Sequence, residues 1–184
     1  MIESGSSYAY VGGIAGFTKA ATNCTNTADI TVSTNGSYVG GIAGKIEPNH
    51  RATTTIKNNK NQGNITGADC VGGIFGYAYI DWSEIRSYIT GFIVTECENS
   101  GNIRATKNCA GGIIGSQTNY YQNELSYCTI SNCTNSGNTS AVKYAGGIIA
   151  YGECTKKDSN IWETNTSTGS ASGTNSGVKY GYLK

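Results

Sequence analysis

Tyr38-Val-Gly-Gly-Ile-Ala-Gly44 is a seven-residue phrase that the chain repeats, and the repetition decides the fold. The other copies are Tyr10-Val-Gly-Gly-Ile-Ala-Gly16, Cys70-Val-Gly-Gly-Ile-Phe-Gly76, Cys109-Ala-Gly-Gly-Ile-Ile-Gly115 and Tyr144-Ala-Gly-Gly-Ile-Ile-Ala150. Their first residues are 28, 32, 39 and 35 apart. A period of this size marks stacked structural units, each burying its apolar face on its neighbours. Within a copy, two apolar residues three apart bracket a glycine pair. They cannot share one face of a flat strand. The glycines therefore predict a bend or bulge that turns both inward, and they remove the Cβ atoms that would obstruct close stacking. Ile14, Ile42, Ile74, Ile113 and Ile148 are expected to line up in one interior column.

A second phrase alternates with the first. It reads Asn23-Cys-Thr-Asn-Thr-Ala-Asp-Ile30, Asn58-Asn-Lys-Asn-Gln-Gly-Asn-Ile65, Glu96-Cys-Glu-Asn-Ser-Gly-Asn-Ile103 and Asn132-Cys-Thr-Asn-Ser-Gly-Asn-Thr139, with Thr174-Asn-Ser-Gly-Val178 read as a last, partial copy. The central residues are Asn26, Asn61, Asn99, Asn135 and Asn175. From central Asn to the next glycine phrase the chain takes 12, 9, 10 and 9 residues; from the Ile of that phrase to the next central Asn it takes 12, 19, 25, 22 and 27. One side of the unit is nearly constant and the other accepts insertions, which in repeat folds collect on one face that is often the binding face. The Asn-Ser-Gly steps read as turns, since Asn tolerates left-handed backbone angles and its amide bonds local backbone. Stacked at one corner, these amides would form a ladder.

Ile56, Val94 and Ile130 mark one more short strand before the Asn phrase, and Ile30, Ile65 and Ile103 another after it. The glycine pairs and the missing 3.6 periodicity argue against helix. The fold class expected is all-β: a parallel β-solenoid (β-helix) of about five coils, right-handed, with residues 1–7 an appended lead and 8–184 one repeat domain.

Composition agrees. Gly numbers 26 of 184 residues, charged residues are 14 %, and there is one Pro, a mix that suits short strands and turns. A net charge of +1 gives no electrostatic case for nucleic acid. No apolar run approaches a membrane span, and the first residues lack the parts of a signal peptide. Of seven cysteines, Cys24, Cys97 and Cys133 share one slot of the Asn phrase, and Cys70 and Cys109 share the slot before Gly-Gly. They read first as small buried fillers in columns, and alternatively as a partial disulfide set, since stacked coils bring equivalent positions within reach. One His and no Cys-x-x-Cys pair leave no zinc pattern. No cofactor is expected.

The pairing of Tyr/Cys-Val/Ala-Gly-Gly-Ile-x-Gly with Asn-Cys-x-Asn-Ser-Gly-Asn-Ile resembles the GLUG-type repeat of bacterial surface proteins, as found in non-catalytic regions of IgA1-protease-type metallopeptidases. The resemblance runs from about Tyr8 to Tyr182. It implies an extracellular, cell-surface or secreted β-helical module with no shared catalytic residues.

Chemistry is sparse. His50 stands alone in a loop, and no hydrolase or phosphate-loop motif occurs. Glu47, Asp81, Glu84, Glu124, Glu153 and Asp158 fall in the insertions, where a stacked pair would suit glycoside cleavage; the competing reading is solvated loop charge, and the low charge content argues against a lyase. Aromatic residues make the better case. Tyr79, Asp81, Trp82, Tyr120, Tyr121 and Trp162 are the candidate binding residues, a row of rings and polar groups suited to a glycan or a protein of a host or microbial surface. The competing reading is that the rings cover the solenoid edge as a satellite core. Tyr10, Tyr38 and Tyr144 share a slot and read as a structural row. The function expected is adhesion or ligand display through the insertion loops, with no nucleic acid and no membrane insertion. A ligand-free rigid spacer and a glycan-active β-helix enzyme are the alternatives. Open solenoid ends predict end-to-end association.

Overall fold

Each strand lies beside its own equivalent one repeat away, and the pairing is parallel throughout the described residues. The computed structural model describes residues 8–48, 52–80, 91–119, 127–153 and 164–183. Five parallel sheets result, the walls of a β-solenoid of about five coils with no helix among the described residues.

The two arms of the glycine phrase form two of these sheets. Ala9–Gly12, Ser37–Gly40, Cys70–Gly72, Cys109–Gly111, Tyr144–Gly146 and Asn175–Gly177 make the first-arm sheet. Ala15–Thr18, Ala43–Ile46, Phe75–Ile80, Ile114–Asn119, Ile149–Gly152 and Tyr180–Leu183 make the second-arm sheet. Next comes a three-stranded sheet of Thr54–Lys57, Gly91–Thr95 and Tyr127–Ser131. An Asn sheet follows, made of two-residue strands Thr25–Asn26, Lys60–Asn61, Glu98–Asn99, Thr134–Asn135 and Thr166–Ser167. A closing sheet of Ile30–Thr31, Ile65–Gly67, Ile103–Ala105, Thr139–Ser140 and Ala171–Ser172 completes the turn.

The glycine bend divides the interior. Ile42, Ile74, Ile113 and Ile148 line up, fully buried, in one apolar cluster with Phe75, Ile114, Phe92, Val94 and Ile130. Val39, Val71 and Ala110 point into a second cluster with Ile65, Ile103 and Ala105. The bracketing residues thus do turn inward, but into separate compartments. Ile14 keeps the register, its N–H reaching the Ile42 carbonyl at 3.1 Å, yet it is 56 % exposed. It lies on the first level, with no described coil beyond it.

Between the compartments stands the asparagine ladder. Asn26 Nδ2 donates to Asn61 Oδ1 at 2.8 Å, Asn61 to Asn99 at 2.7 Å and Asn99 to Asn135 at 2.7 Å. Asn135 Nδ2 reaches Ser167 Oγ at 3.4 Å. Each of the four amides also donates at 2.8 Å to the carbonyl two residues on, at Ala28, Gly63, Gly101 and Gly137. These amides are buried, so full satisfaction is what makes them tolerable inside. They occupy the space over the middle glycine of the bend. A Cβ on Gly41, Gly73 or Gly112 would lie within 2.4–2.6 Å of an Asn61, Asn99 or Asn135 side-chain atom. An exposed ladder runs alongside, from Asp29 through Asn64, Asn102 and Asn138 to Ser170.

Three details differ from the sequence reading. Among the described residues, the left-handed non-glycine residues are Asn23, Asn58, Glu96 and Asn132, with φ between 52° and 57°, one place before the cysteine slot and not in the Asn-Ser-Gly step. The glycines of that step answer a close approach instead: a Cβ on Gly101 would lie 1.9 Å from the Gly63 carbonyl oxygen, and one on Gly137 1.9 Å from that of Gly101. Finally, Thr174–Val178 is not an Asn phrase. Asn175 pairs with Tyr144, Ser176 with Ala145 and Gly177 with Gly146, so this stretch opens a sixth, altered glycine phrase. The fifth Asn phrase is Asn165-Thr-Ser-Thr-Gly169, with Ser167 beside Asn135. The tripeptide Asn-Ser-Gly fits either phrase, and only pairing distinguishes them. In the sixth phrase Ser176 and Lys179 take the columns held below by Ala145 and Ile148.

The cysteine columns are free thiols at Cys24, Cys70, Cys97, Cys109 and Cys133. Cys97 and Cys133 are fully buried. Asn59 and Asn165 occupy the same slot on other levels, where their Oδ1 atoms accept from the Cys24 and Cys133 N–H groups at 3.1 and 2.8 Å. A thiol and an amide of similar size are interchangeable here because each finds local backbone partners: Cys97 Sγ lies 3.4 Å from the Thr95 carbonyl.

Candidate binding face

The second-arm strands release every insertion. After Ile46, Ile80, Asn119 and Gly152 the chain leaves the sheet, and it rejoins the ladder at Thr54, Gly91, Tyr127 and Thr166. Because these strands are neighbours in one sheet, all the variable segments depart from one edge of the solenoid. On the first level no third-sheet strand forms, and a single bridge joins Thr22 to Lys57.

Among the candidate residues, Tyr79 lies within the strand Phe75–Ile80, not in the insertion proper. Asp81, Trp82, Tyr120, Tyr121 and Trp162 lie outside the described residues. The structure joins Tyr79 to residues from other phrases that the sequence had kept apart. Tyr10 and Tyr38 are register partners in the first-arm sheet, and their rings stack with centroids 5.7 Å apart. Tyr77 reaches across from the second-arm sheet to stack on Tyr38 at 4.7 Å. Tyr8 leans on Tyr38 at 5.1 Å and Tyr79 on Tyr77 at 6.0 Å. With Lys45 these five tyrosines line a cleft of about 280 Å³.

Lys45 organises the cleft. Its Nζ lies 4.8 Å from the Tyr79 ring centre and 5.5 Å from those of Tyr10 and Phe17, within cation–π range. It also pairs with Glu47 Oε2 at 2.8 Å, in side chains only 14 % and 23 % exposed. Burial raises the Tyr38 hydroxyl above its ordinary range and pushes Tyr77 up to about 12, the latter against the opposing pull of a hydrogen bond with Thr118. Both are neutral phenols at any ordinary pH.

The slot shared by Tyr10, Tyr38 and Tyr144 is not one continuous row. Cys70 and Cys109 interrupt it. Tyr144 instead belongs to a second cluster with Tyr151 and Tyr182, at centroid distances of 5.3 to 5.7 Å. Lys143 Nζ lies 4.9 Å over Tyr144, and Tyr151 Oη donates to Glu153 Oε1 at 2.9 Å. Burial, then the neighbouring Glu153 carboxylate, pushes Tyr151 up to about 12. Sequence reasoning read Tyr144 as part of a structural row and Glu153 as an insertion carboxylate without joining them to Lys143, Tyr151 and Tyr182, because the partners come from different phrases. The available signal was the register itself, which places Lys45, Tyr77, Ser116, Tyr151 and Tyr182 in one row.

Among the described residues no group of three His, Cys, Asp or Glu is placed to hold a metal ion, and no helix is long and apolar enough to cross a membrane.

Parallel walls, asparagine ladders and one insertion edge define a β-solenoid repeat protein. The family model of the GLUG motif matches residues 107–140. That stretch runs from just before Cys109–Gly111 round to Thr139–Ser140, one turn of the solenoid, so the matched motif corresponds to a single coil, consistent with a GLUG-type repeat. No curated protein and no solved structure matches the chain.

Proposed function

We propose that this domain is a non-catalytic binding module of a bacterial surface or secreted protein, acting in adhesion or ligand display along its insertion edge. One observation carries the reading: the variable segments all leave the solenoid at one edge, and beside that edge Tyr79 stands in a ring-lined cleft with a fixed ion pair. GLUG repeats are typical of surface and secreted proteins, which supports the setting. The ladders supply a stiff frame, and binding residues commonly ride on loops held by such scaffolds. The test is a screen of the whole chain against immobilised glycans and surface proteins, with Trp82→Ala and Tyr79→Ala as variants. The reading expects at least one ligand, weakened by both variants without a change in unfolding midpoint. A screen in which nothing binds would favour the spacer. Turnover of a polysaccharide, lost on replacing Glu47 or Glu153, would establish the enzyme instead.

A further inference from the structure

We propose that the face bearing both tyrosine clusters binds an extended, neutral glycan whose chain runs along the solenoid axis. The inference rests on the binding-module reading and adds the class of ligand. It begins from a duplicated construction. Tyr8, Tyr10, Tyr38, Tyr77 and Tyr79 line a cleft with Lys45, which pairs with Glu47. On the same two strand rows, three levels on, Tyr144, Tyr151 and Tyr182 gather near Lys143 and Glu153. Each cluster joins aromatic surface, suited to the C–H faces of a sugar ring, to hydroxyl, ammonium and carboxylate groups, suited to its hydroxyls.

The ring contacts fix the tyrosines before any ligand arrives, which lowers the ordering cost of binding. Tyr10 is 36 % exposed and Tyr182 42 % exposed, so each cluster keeps solvent-facing aromatic surface. Three level steps of about 4.8 Å separate Tyr38 from Tyr144, about 14 Å in all, a span that an oligosaccharide crosses and a disaccharide does not. Between them the first-arm row holds only Cys70 and Cys109 and the second-arm row Ser116, small side chains that are themselves buried, the two cysteines against Tyr38, Tyr144 and Tyr151.

Charge selects the neutral polymer. Glu47 neutralises Lys45, the cation of the first cluster, and the chain as a whole carries +1. An acidic glycan would find no unbalanced cation there, and desolvating its carboxylates without one is unfavourable. A proline-rich peptide would use the same rings but leave the ion pair unengaged.

The experiment is calorimetric titration of the whole chain with malto-, cello-, laminari- and chito-oligosaccharides from disaccharide to hexasaccharide. Heparin, polygalacturonate and a proline-rich peptide serve as comparators. The expected result is binding of one neutral series with affinity rising with length. Tyr10→Ala and Tyr182→Ala each weaken the hexasaccharide about tenfold or more, with unchanged unfolding midpoints, and at most one of them affects the disaccharide. Three results would overturn the proposal: salt-sensitive binding of an acidic polymer in place of neutral ones, capture of the peptide alone, or neutral-glycan binding that neither variant moves. If these titrations stay silent while a protein ligand emerges from the surface-protein screen, the glycan assignment fails and the binding module stands. Silence in both removes both.

Discussion

The carboxamide of Asn99 lies against Gly73, so close that a Cβ at residue 73 would fall 2.5 Å from Asn99 Cγ and 2.1 Å from the Gly112 carbonyl oxygen. The two phrases that alternate along the chain are thus halves of one contact across the coil. Gly73→Ala is expected to destabilise by about 3 kcal/mol. The double variant with Asn99→Ala should recover little, because the Gly112 carbonyl remains in the way. Urea unfolding of the two variants checks this.

Asn99→Ala by itself removes the donor to Gly101 O and Asn135 Oδ1 and the acceptor for Asn61 Nδ2. Buried groups left unpaired cost about 1–3 kcal/mol each, so a loss of about 3 kcal/mol or more is expected. Asn102→Ala, in the exposed ladder, should cost less than about 1.5 kcal/mol, since water replaces its partners. A loss at position 102 equal to that at position 99 would refute the distinction.

Gly101 and Ala28 hold the same place on different levels. A Cβ at residue 101 would meet the Gly63 carbonyl oxygen at 1.9 Å, whereas Ala28 sits on the first level with no described coil below it. Gly101→Ala should be severely destabilising, and Ala28→Gly should change the unfolding free energy by about 1 kcal/mol or less. Thermal melts of the pair decide it.

Position 97 tests the shared slot. Cys97→Asn reproduces what Asn59 and Asn165 already do on other levels, and is expected to cost under about 1.5 kcal/mol. Cys97→Leu overfills a fully buried site and should cost about 1–3 kcal/mol. The same logic separates Ile74→Ala, expected to lose about 2–5 kcal/mol, from Ile14→Ala on the exposed first level, expected to lose under about 1 kcal/mol.

Alkaline pH should unfold the solenoid through its phenols. Tyr38, Tyr77 and Tyr151 all have their ionisation raised by burial, so the unfolded chain gives up these protons first. A raised folded value contributes stability that is complete below the ordinary tyrosine range of about 10 and is lost as pH rises through the folded value. Unfolding midpoints should stay level up to about pH 9 on this account and fall between about pH 10 and 12. Tyr77→Phe should flatten part of that fall. An unchanged slope in this variant would show that Tyr77 contributes nothing to it.

The parallel stack, the bend at Gly-Gly, the inward Ile column and the amide ladder were all legible, because each is a local pattern repeated in register. What escaped was contact between unlike phrases. Nothing in Tyr38 or Tyr77 announces that one ring stacks on the other, since the two stand in different sheets and in different copies of the glycine phrase. Asn175 misled for the opposite reason. A short Asn-Ser-Gly string satisfies turn chemistry anywhere, while the true phrase had replaced both of its diagnostic residues, with Asn165 in the cysteine slot and Ser167 in the ladder. Its surviving signal was the spacing Asn165-x-Ser-x-Gly169, which matches Cys133-x-Asn-x-Gly137.

Every amide in the buried ladder faces the same way, handing its proton onward from Asn26 toward Ser167. A single reversed member would set hydrogen against hydrogen on one side and oxygen against oxygen on the other. The column therefore has an arrow, and no link can turn without all of them turning. A whole extra turn spliced into the middle carries its own giver and taker and leaves the arrow intact, whereas half a turn breaks it. Arrays of this kind should lengthen and shorten over evolution in complete coils, and where the series ends a hydroxyl such as Ser167, able to act in either sense, is a fitting terminus.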